Sequence, residues 1–557
     1  MHRSFGEFKF LFGSSLLLLA SLFTGACADS FEGNLEDLNR TTQQPITTTH
    51  EFSTAPGLTG PGSWETVDVV IGDEGATYLS GEFWPGNQSG ISQLTFGCSS
   101  PIENPSGSFT DVFLVKFDEN GQCLWQKSWG SDETESSENQ IIHTANDLEV
   151  TPTGTVVLVT ERLLQPAEPT RYSTSTAGRI RELDTNGNTV WMEQFPHLLR
   201  TYGTRNVYTA VDIVDDLMVA AGEFSNDFSF AGANLNSSPQ LMVLAWDSLS
   251  GGTRPEQWAR QFGGTSGSGI VTDVDAHRAS ERITVVGNYT DDGSGHTHVD
   301  GTPANTATNW SFFLESMDFN GNQTDKFSSP AGTTGPADSE RVGQVEFAPD
   351  GEVYIAGKFH GQLNPNGNVA PVYRGLSKSQ FPAPEAVYSS DDEDYFVIRY
   401  TSADDLGTDD SWVNFSDLNP GNTSGNPNSP TIMKEEIWDL QAFADSIAIT
   451  GEVIEPPSET GVQRYGFAHI HDFSQPYVTP RPTDPEDYVL DPSAPSGTKE
   501  YDIAYENTYG SGLAFYGRGV AATTDRLAVA GHNIDTNYNL GGPTLPGGYG
   551  FLVSYEY

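Results

Sequence analysis

The chain has 557 residues, a formal net charge of −48, 58 glycines and 33 prolines, and 11% of its residues are aromatic. Such an acidic surface repels nucleic acid and anionic lipid, which excludes both as ligands of the folded chain. The length exceeds what one simple hydrophobic core serves, and the composition is typical of short strands joined by turns, so we expect several domains or one large repetitive domain.

The N-terminal segment, residues 1–27, is predicted to be a signal peptide rather than part of the fold. A basic start precedes the stretch FLFGSSLLLLASLF, which is too short for a comfortable membrane span. The residues that follow, Thr24-Gly25-Ala26-Cys27, resemble the lipobox of bacterial lipoproteins. This resemblance implies that Cys27 is acylated and anchors the mature chain at the outer membrane or cell surface. Simple secretion with cleavage nearby is the alternative.

Seven repeats fill the predicted folded domain, residues 45–557, which follows a polar tether at 28–44. Each repeat begins with a short strand that has a polar residue near its middle. A tight turn such as GDEG, PTG or PDG then leads into a second strand, usually with a glycine in an apolar run. The second strands are TYLSGEF, VLVTERL, MVAAGEF, ITVVGNY, VYIAGKF, IAITGEV and LAVAGHN. A third strand follows a longer loop, and most repeats have a fourth strand marked by tryptophan or phenylalanine.

Four antiparallel strands per repeat, repeated seven times, predict an all-β fold, a seven-bladed β-propeller. The last repeat stops on its third strand at Tyr557. The segment ITTTHEFSTAPG, residues 46–57, stands where a fourth strand stands ahead of other repeats. We therefore expect a strand near Phe52 to complete the last blade and close the ring, which removes two sheet edges.

The repeats VEFAPDGEVYIAGKF and DVFLVKFDENGQCLWQKSWG resemble the bacterial seven-bladed propeller repeats called SBBP repeats, found in exported proteins. The resemblance covers about 46–557 and implies the fold, and the family has no shared catalytic residues to transfer. The Asn-Gly-x-x-x-Trp hairpin is also similar to the tryptophan-docking repeats of pyrroloquinoline-quinone-type propellers. Those proteins usually have eight blades, so the count of seven argues against them.

The long connections are predicted to lie mostly on one face of the propeller, the usual place for binding. They run at about 84–110, 290–309 and 360–393 between second and third strands, and at about 416–435 between repeats. Aromatic residues there, such as Trp84, Tyr373 and Tyr388, suit a glycan or a peptide. This loop-rich face is therefore the predicted ligand face.

Aspartate recurs in the first strands of five repeats, although it is a poor strand former. These residues are Asp68, Asp147, Asp212, Asp273 and Asp439, and Gln344 and Gly519 interrupt the set. In a structural interpretation, a buried carboxylate accepts hydrogen bonds from the neighbouring blade, because burying it unpaired is costly. The functional interpretation is an acidic channel wall that holds a cation. We favour the structural one.

Two turns offer alternating oxygen atoms of the kind that calcium binds. They contain Asp318, Asn320, Asn322 and Asp325, and Asp184, Asn186 and Asn188. Neither has the full calcium-loop pattern, and a type I′ hairpin turn explains both without a metal. The expectation is no cofactor, with calcium as the alternative.

Two His-x-His pairs are weak candidates for a metal site. His469 and His471 lie on a predicted third strand, where a period of two places both on one face. His296 and His298 lie in a predicted loop. Neither pair has a visible third ligand.

Cys98 and Cys123 are the two cysteines besides Cys27, and both lie in the first repeat. Disulfides persist in the compartments that exported proteins occupy, so a bridge between them is predicted. Two free buried thiols are the alternative.

The sequence contains no hydrolase elbow, zinc-protease motif or phosphate-binding loop. The predicted function is binding or scaffolding at the bacterial cell envelope, with an envelope protein or a glycan as partner and a lipid anchor as the sole membrane contact. A polysaccharide-active hydrolase or lyase with carboxylates on the loop-rich face is one alternative. An envelope-assembly scaffold is the other.

Overall fold

The computed structural model describes residues 46–50 and, with gaps in the connections, 63–556. The longest stretches outside the described residues are 1–45, 363–388, 416–433 and 473–514. The secondary structure in the described part is all-β, and from Ser63 onward it belongs to one unit, Thr48–Tyr557. No helix long and apolar enough to cross a membrane occurs in that part of the chain.

The seven sequence repeats each supply a hairpin made of a first and a second strand. The first strands are β2 (Ser63–Ile71), β8 (Asn139–Val150), β12 (Arg205–Val214), β18 (Gly269–His277), β22 (Ser339–Phe347), β26 (Lys434–Phe443) and β29 (Phe515–Ala522). The second strands are β3 (Thr77–Trp84), β9 (Val156–Pro166), β13 (Leu217–Glu223), β19 (Arg282–Thr290), β23 (Val353–Gln362), β27 (Ser446–Ser458) and β30 (Arg526–Asn533). All seven hairpins lie where the sequence predicts them.

Third strands pair with the second strands, and fourth strands form the outer edge. The third strands are β6 (Asp111–Phe117), β10 (Ser175–Leu183), β16 (Leu241–Trp246), β20 (Trp310–Asp318), β24 (Ser389–Tyr400), β28 (Gly461–Asp472) and β33 (Tyr549–Glu556). The fourth strands are β7 (Cys123–Trp129), β11 (Thr189–Gln194), β17 (Glu256–Phe262), β21 (Gln323–Ser328) and β25 (Trp412–Phe415). The predicted fourth strand of the sixth repeat lies outside the described residues.

Burial follows this order across each sheet. Every residue of β6 and of β16 is buried, which explains their continuous apolar runs. The outer strand β7 is partly or fully exposed along its whole length. The third strand is therefore covered on both faces, whereas the fourth strand borders solvent.

Neighbouring units pack face to face through hydrophobic clusters. Val112 and Leu114 of the first unit pack with Leu148 and Leu158 of the second. Equivalent clusters join the second unit to the third, the third to the fourth, the fourth to the fifth and the fifth to the sixth. Four-stranded antiparallel sheets stacked in this way are the blades of a β-propeller.

The glycine of the second strands is required by close packing within each unit. A Cβ on Gly81 would lie 2.2 Å from the carbonyl oxygen of Glu65 and 2.5 Å from the ring of Phe113. Gly287 is in the same position, with the ring of Phe313 at 2.4 Å. In these units no residue larger than glycine fits between the first strand's backbone and the third strand's aromatic ring.

The recurring tryptophan of the fourth strand packs on the turn of the next unit. Trp125 Nε1 donates to the carbonyl of Thr185 at 2.9 Å, and Trp258 Nε1 donates to the carbonyl of Phe319 at 2.9 Å. The glycine of each turn lies beneath the ring, since a Cβ on Gly321 would come within 2.6 Å of Trp258. The Asn-Gly turn and the tryptophan thus form one contact between successive units.

The N-terminal strand β1 (Ile46–His50) pairs with β33. This strand lies a few residues before Phe52, which is outside the described residues. The first strands also contact one another in sequence order: β2 with β8, β8 with β12, β12 with β18, β18 with β22, β22 with β26, β26 with β29, and β29 with β2.

Candidate functional site

A β-bulge recurs in all seven first strands. The pairing register with the second strand skips one residue in each. The skipped residues are Val67, Asn146, Thr209, Thr272, Gly343, Trp438 and Arg518, which we call the bulge residues. Each is half-buried, although the residue before it is fully buried. Bulges of this kind re-aim side chains and are common next to active sites.

The residue after the bulge ties each unit to the next. The Oδ2 atom of Asp68 accepts the backbone N–H of Leu148 at 3.0 Å, and that of Asp147 accepts the N–H of Val211 at 2.6 Å. The same bond joins Asp273 to Val345 at 2.8 Å and Asp439 to Val520 at 2.6 Å. In the fifth unit Gln344 instead donates to the carbonyl of Trp438 at 2.6 Å.

Asp212 is not in register with the other four aspartates, which corrects the sequence alignment. Ala210 follows the bulge of its strand, and Asp212 lies two residues further on. It belongs to a second layer with Glu149, Asp275 and Glu346. Its Oδ2 atom accepts the N–H of Ala276 of the next unit at 2.6 Å. The two layers, Asp68, Asp147, Asp273 and Asp439 with Glu149, Asp212, Asp275 and Glu346, are the inner-strand acids.

Burial raises the pKa values of the inner-strand acids. Loss of hydration is the largest cause, and it raises the pKa to about 7 for Asp147 and Asp439 and to about 6 for Asp212. The other five have pKa values well above their usual range, again chiefly from burial, with repulsion from neighbouring inner-strand acids adding to it. No group of three or more metal-binding side chains occurs among the described residues. Six of the eight carboxyls accept a backbone N–H of the next unit and so act as acceptors between units.

A second group of polar residues, which sequence reasoning missed, lies at the same bulges. Glu65 pairs directly with Glu82 across the first hairpin. Burial raises the pKa of Glu65, and it raises the pKa of Glu82 to about 8, while the charge of Arg518 opposes both shifts. Arg518 lies over the ring of Trp438, 4.0 Å from its centroid. In the sequence, Glu82 could have been found by its position directly after the repeated glycine of the second strand, Gly81.

The calcium candidates form hydrogen-bonded turns. Asp318 Oδ1 accepts the backbone N–H groups of Asn320 and Asn322 at 2.9 and 2.8 Å, and its Oδ2 accepts the side-chain amide of Asn322 at 2.9 Å. Asp184 makes the same bonds with Asn186 and Asn188. Asp325 instead accepts the N–H of Leu406 of the next unit at 2.8 Å. Because the turn's own amides use these oxygens, the motif needs no metal.

The two histidine pairs lie in different surroundings. His296 is buried, stacks against Tyr289 and Phe313, and has no hydrogen-bond partner within the described chain. Burial lowers its pKa to about 3. His298 Nδ1 lies 2.6 Å from Glu315 Oε1. His469 and His471 lie on β28, opposite Ile449 and Ile447 of β27.

The described parts of the long connections between second and third strands run back along the outer strand. In the first unit the hairpin of β4 (Gln93–Leu94) and β5 (Ile102–Glu103) is joined to the start of β7 by a Cys98–Cys123 disulfide, with Cα atoms 5.1 Å apart. In the third unit the connection between β14 (Phe228–Phe230) and β15 (Ala233–Leu235) bonds to Glu256 at the start of β17.

In the first and third units the connection reaches the opposite end of the sheet and covers its outer strand. Of the long connections that the sequence predicts on one face, the one at about 84–110 therefore departs from the prediction, whereas those at about 360–393 and 416–435 lie mainly outside the described residues. The last repeat has a third short hairpin, β31 (Tyr538–Asn539) with β32 (Thr544–Leu545). Trp84 ends β3, whereas Tyr373, Tyr388 and the anchor Cys27 lie outside the described residues.

Comparison with known proteins assigns neither a family nor a function. No protein-family model matches the chain, and no curated protein matches it, so the SBBP resemblance stays a prediction.

Three solved structures show what the chain is similar to. The periplasmic gluconolactonase PpgL of Pseudomonas aeruginosa is 12% identical, with 89% of this chain and 96% of that chain covered and a TM-score of 0.34. An ulvan lyase of polysaccharide lyase family PL25 is 10% identical, with 86% and 93% covered and a TM-score of 0.35. The endosialidase of phage phi92 is 11% identical, with 92% and 69% covered and a TM-score of 0.38. At this level of similarity none of their activities transfers to this chain.

Proposed function

We propose that the seven units form a closed, seven-bladed propeller and that β1 supplies the fourth strand of the last blade. The pairing of β1 with β33 and the contact of β29 with β2 support this arrangement. The last and first units also share a hydrophobic cluster, in which Ala528 and Ala530 pack with Leu79 and Phe113. In this arrangement β1 covers the edge of β33 and becomes the outer strand of the last blade, as the fourth strands of the other units do.

Truncation tests the closure. A chain that begins at residue 58 lacks β1, whereas a control that begins at residue 45 keeps it. We expect the shorter chain to unfold at lower urea concentration and to aggregate, because the edge of β33 becomes free to pair with other chains. Equal urea midpoints for the two chains would refute closure by β1.

The protein is further proposed to be exported, lipid-anchored at Cys27, and active as a binding or scaffolding protein of the bacterial envelope. The observation that carries this proposal is the Cys98–Cys123 disulfide, since such bonds persist in oxidising compartments. The lipobox and the polar tether agree with it. The inner-strand acids add support for a non-catalytic role, because their carboxyls hold adjacent units together.

Two experiments address anchor and partner. Metabolic labelling with an alkyne-tagged palmitate is expected to mark the full chain and to leave a Cys27→Ser variant unmarked. Equal labelling of both would refute the anchor. Cross-linking in the native envelope, with the chain from residue 45 as control, should recover specific protein partners if the role is scaffolding. Recovery of none would direct the search to glycans.

One observation favours the competing function, a polysaccharide hydrolase or lyase. Glu65 and Glu82 face each other, and the raised pKa of Glu82 keeps a proton on it at neutral pH. A protonated carboxyl beside a second carboxyl is the pair that general acid–base cleavage of a glycosidic bond uses. Turnover of a polysaccharide that is lost in Glu82→Gln would establish this function.

A further inference from the structure

The bulge residues differ in size on the two sides of the centre of the proposed ring. Five of them are small: Val67, Asn146, Thr209, Thr272 and Gly343. The other two, Trp438 and Arg518, are large and stack on each other, 4.0 Å from guanidinium to ring centroid. In a closed ring both faces of a first strand are covered by neighbouring blades, so the exposed part of each bulge residue borders the central space. This step rests on the proposed closure. A large aromatic wall then faces a side lined by small residues.

Trp438 presents an unused hydrogen-bond donor in this wall. Its ring is half-buried, and its Nε1 atom is buried with no hydrogen-bond partner in the described part of the chain. A buried tryptophan N–H normally has a partner, because leaving a donor unsatisfied costs about 1–3 kcal/mol. An acceptor supplied by a ligand would remove that cost.

Glu65 and Glu82 lie close enough to Arg518, one of the two large bulge residues, for its charge to lower the pKa of both. Glu82 Oε1 also accepts the backbone N–H of Ala145 at 3.1 Å, which places it next to the bulge residue Asn146. Two carboxyls directly opposite each other repel when both are charged. The pair therefore holds a proton, and it offers a hydrogen-bond donor as well as acceptors.

The charges around the site select the ligand class. A formal charge of −48 and the inner-strand acids disfavour an anion. Arg518 disfavours a second cation beside the glutamates, and the described residues include no metal-binding group. A neutral ligand with several hydroxyls and an apolar face fits the combination of aromatic ring, donors and acceptors.

We propose that Trp438, Arg518, Glu65 and Glu82 form a binding site for a neutral sugar residue of a glycan. In this site the tryptophan N–H and the guanidinium donate to hydroxyl oxygens, and the carboxyl pair accepts from hydroxyl groups and donates its shared proton. The apolar edge of Trp438 packs on the sugar ring. This deepens the proposed binding role by naming its ligand.

A glycan array probed with the full chain in detergent tests the site. The array carries neutral hexasaccharides (cellohexaose, laminarihexaose and maltohexaose), hexagalacturonate as the acidic probe and a chitosan hexamer as the cationic probe. We expect at least one neutral glycan to be retained and the charged probes to bind more weakly. No retention of neutral glycans, or tighter binding of a charged probe, would overturn the proposal.

Variants identify the residues by calorimetry on the retained glycan. Trp438→Phe keeps the ring and removes the donor, and we expect a loss of affinity of roughly fivefold to tenfold, the worth of one hydrogen bond. Glu82→Gln, which keeps the shape, should lower affinity by a similar factor. Trp310→Phe is the matched control, because Trp310 also stacks on an arginine, Arg341 at 4.6 Å, but lies at the start of a third strand in another unit and is not itself a bulge residue.

The outcomes separate this proposal from those it rests on. Unchanged affinity in Trp438→Phe and Glu82→Gln, or an equal loss in Trp310→Phe, would refute the site even if a glycan binds. Melting temperatures of the variants show whether a loss reflects unfolding. The truncation at residue 58 tests closure independently, so a protein that closes but binds no neutral glycan would refute this site alone.

Discussion

Replacing Gly321 by alanine tests the contact between a tryptophan and the turn of the next unit. Gly321 has φ +74°, and a Cβ there would lie 2.6, 2.7 and 3.0 Å from three atoms of the Trp258 ring. Backbone strain in the left-handed region costs about 1 kcal/mol for alanine. The ring must also move, which strains the packing by about 1–3 kcal/mol and breaks a hydrogen bond worth about 1 kcal/mol. We expect Gly321→Ala to lower the free energy of unfolding by about 3–5 kcal/mol.

Gly301 provides a matched control for this substitution. Its φ is +78°, and a Cβ there would meet nothing within 4 Å. Gly301→Ala should therefore show the backbone cost alone, about 1 kcal/mol. The difference between the two variants measures the tryptophan contact without the effect of φ.

Urea denaturation followed by circular dichroism is the assay, with the slope checked for a single cooperative transition. A double-mutant cycle with Trp258→Ala completes the test. Once the ring is absent, Gly321→Ala should cost no more than Gly301→Ala. Equal costs for Gly321→Ala and Gly301→Ala in the native background would refute the reasoning.

Three further predictions concern buried charges and histidine. Arg254→Met should lower the free energy of unfolding by about 3–5 kcal/mol, because it leaves the buried Glu182 without its ion-pair partner; the two side chains are 3% and 4% exposed. Arg278→Met is the exposed counterpart. Arg278 and Asp215 are 60% and 57% exposed, so the free energy of unfolding should change by under about 1 kcal/mol. His296→Leu should raise the urea midpoint, because the buried ring has no hydrogen-bond partner in the described residues, and a lower midpoint would contradict this. The free energy of unfolding should increase from pH 8 to pH 5, because the inner-strand acids have raised pKa values in the folded chain and bind protons in this range before the unfolded chain does. The lowered pKa of His296 opposes this increase below pH 6.5. A higher urea midpoint at pH 8 than at pH 5 would refute the prediction.

The strands could be predicted from sequence because each has a local signal that repeats. The glycine of the second strands is one such signal, and the structure explains it by the carbonyl and the aromatic ring that leave no room at Gly81. The Asn-Gly turn is another, since Asp318 binds three donors of its own turn. Local patterns with a local cause can be read without knowing the fold.

The register of the acids could not be predicted in the same way. In the third unit Ala210 takes the position after the bulge and the aspartate stands two residues later, so Asp212 and Asp147 look equivalent in sequence but occupy different layers. The course of the long connections was missed for a similar reason. The Cys98–Cys123 disulfide was predicted, but the path of the connection that contains Cys98 depends on the fold of the whole unit.

The bulge also explains why an acidic residue recurs directly after it. By adding a residue, it lets the side chain after it reach the neighbouring unit, where a backbone N–H donates to the carboxyl oxygen of Asp68, Asp147, Asp273 and Asp439. The bulge residue itself differs from unit to unit, from Gly343 to Trp438. Structural constraint therefore falls on one position, and the adjacent position is where the units differ and where specificity for a ligand can arise.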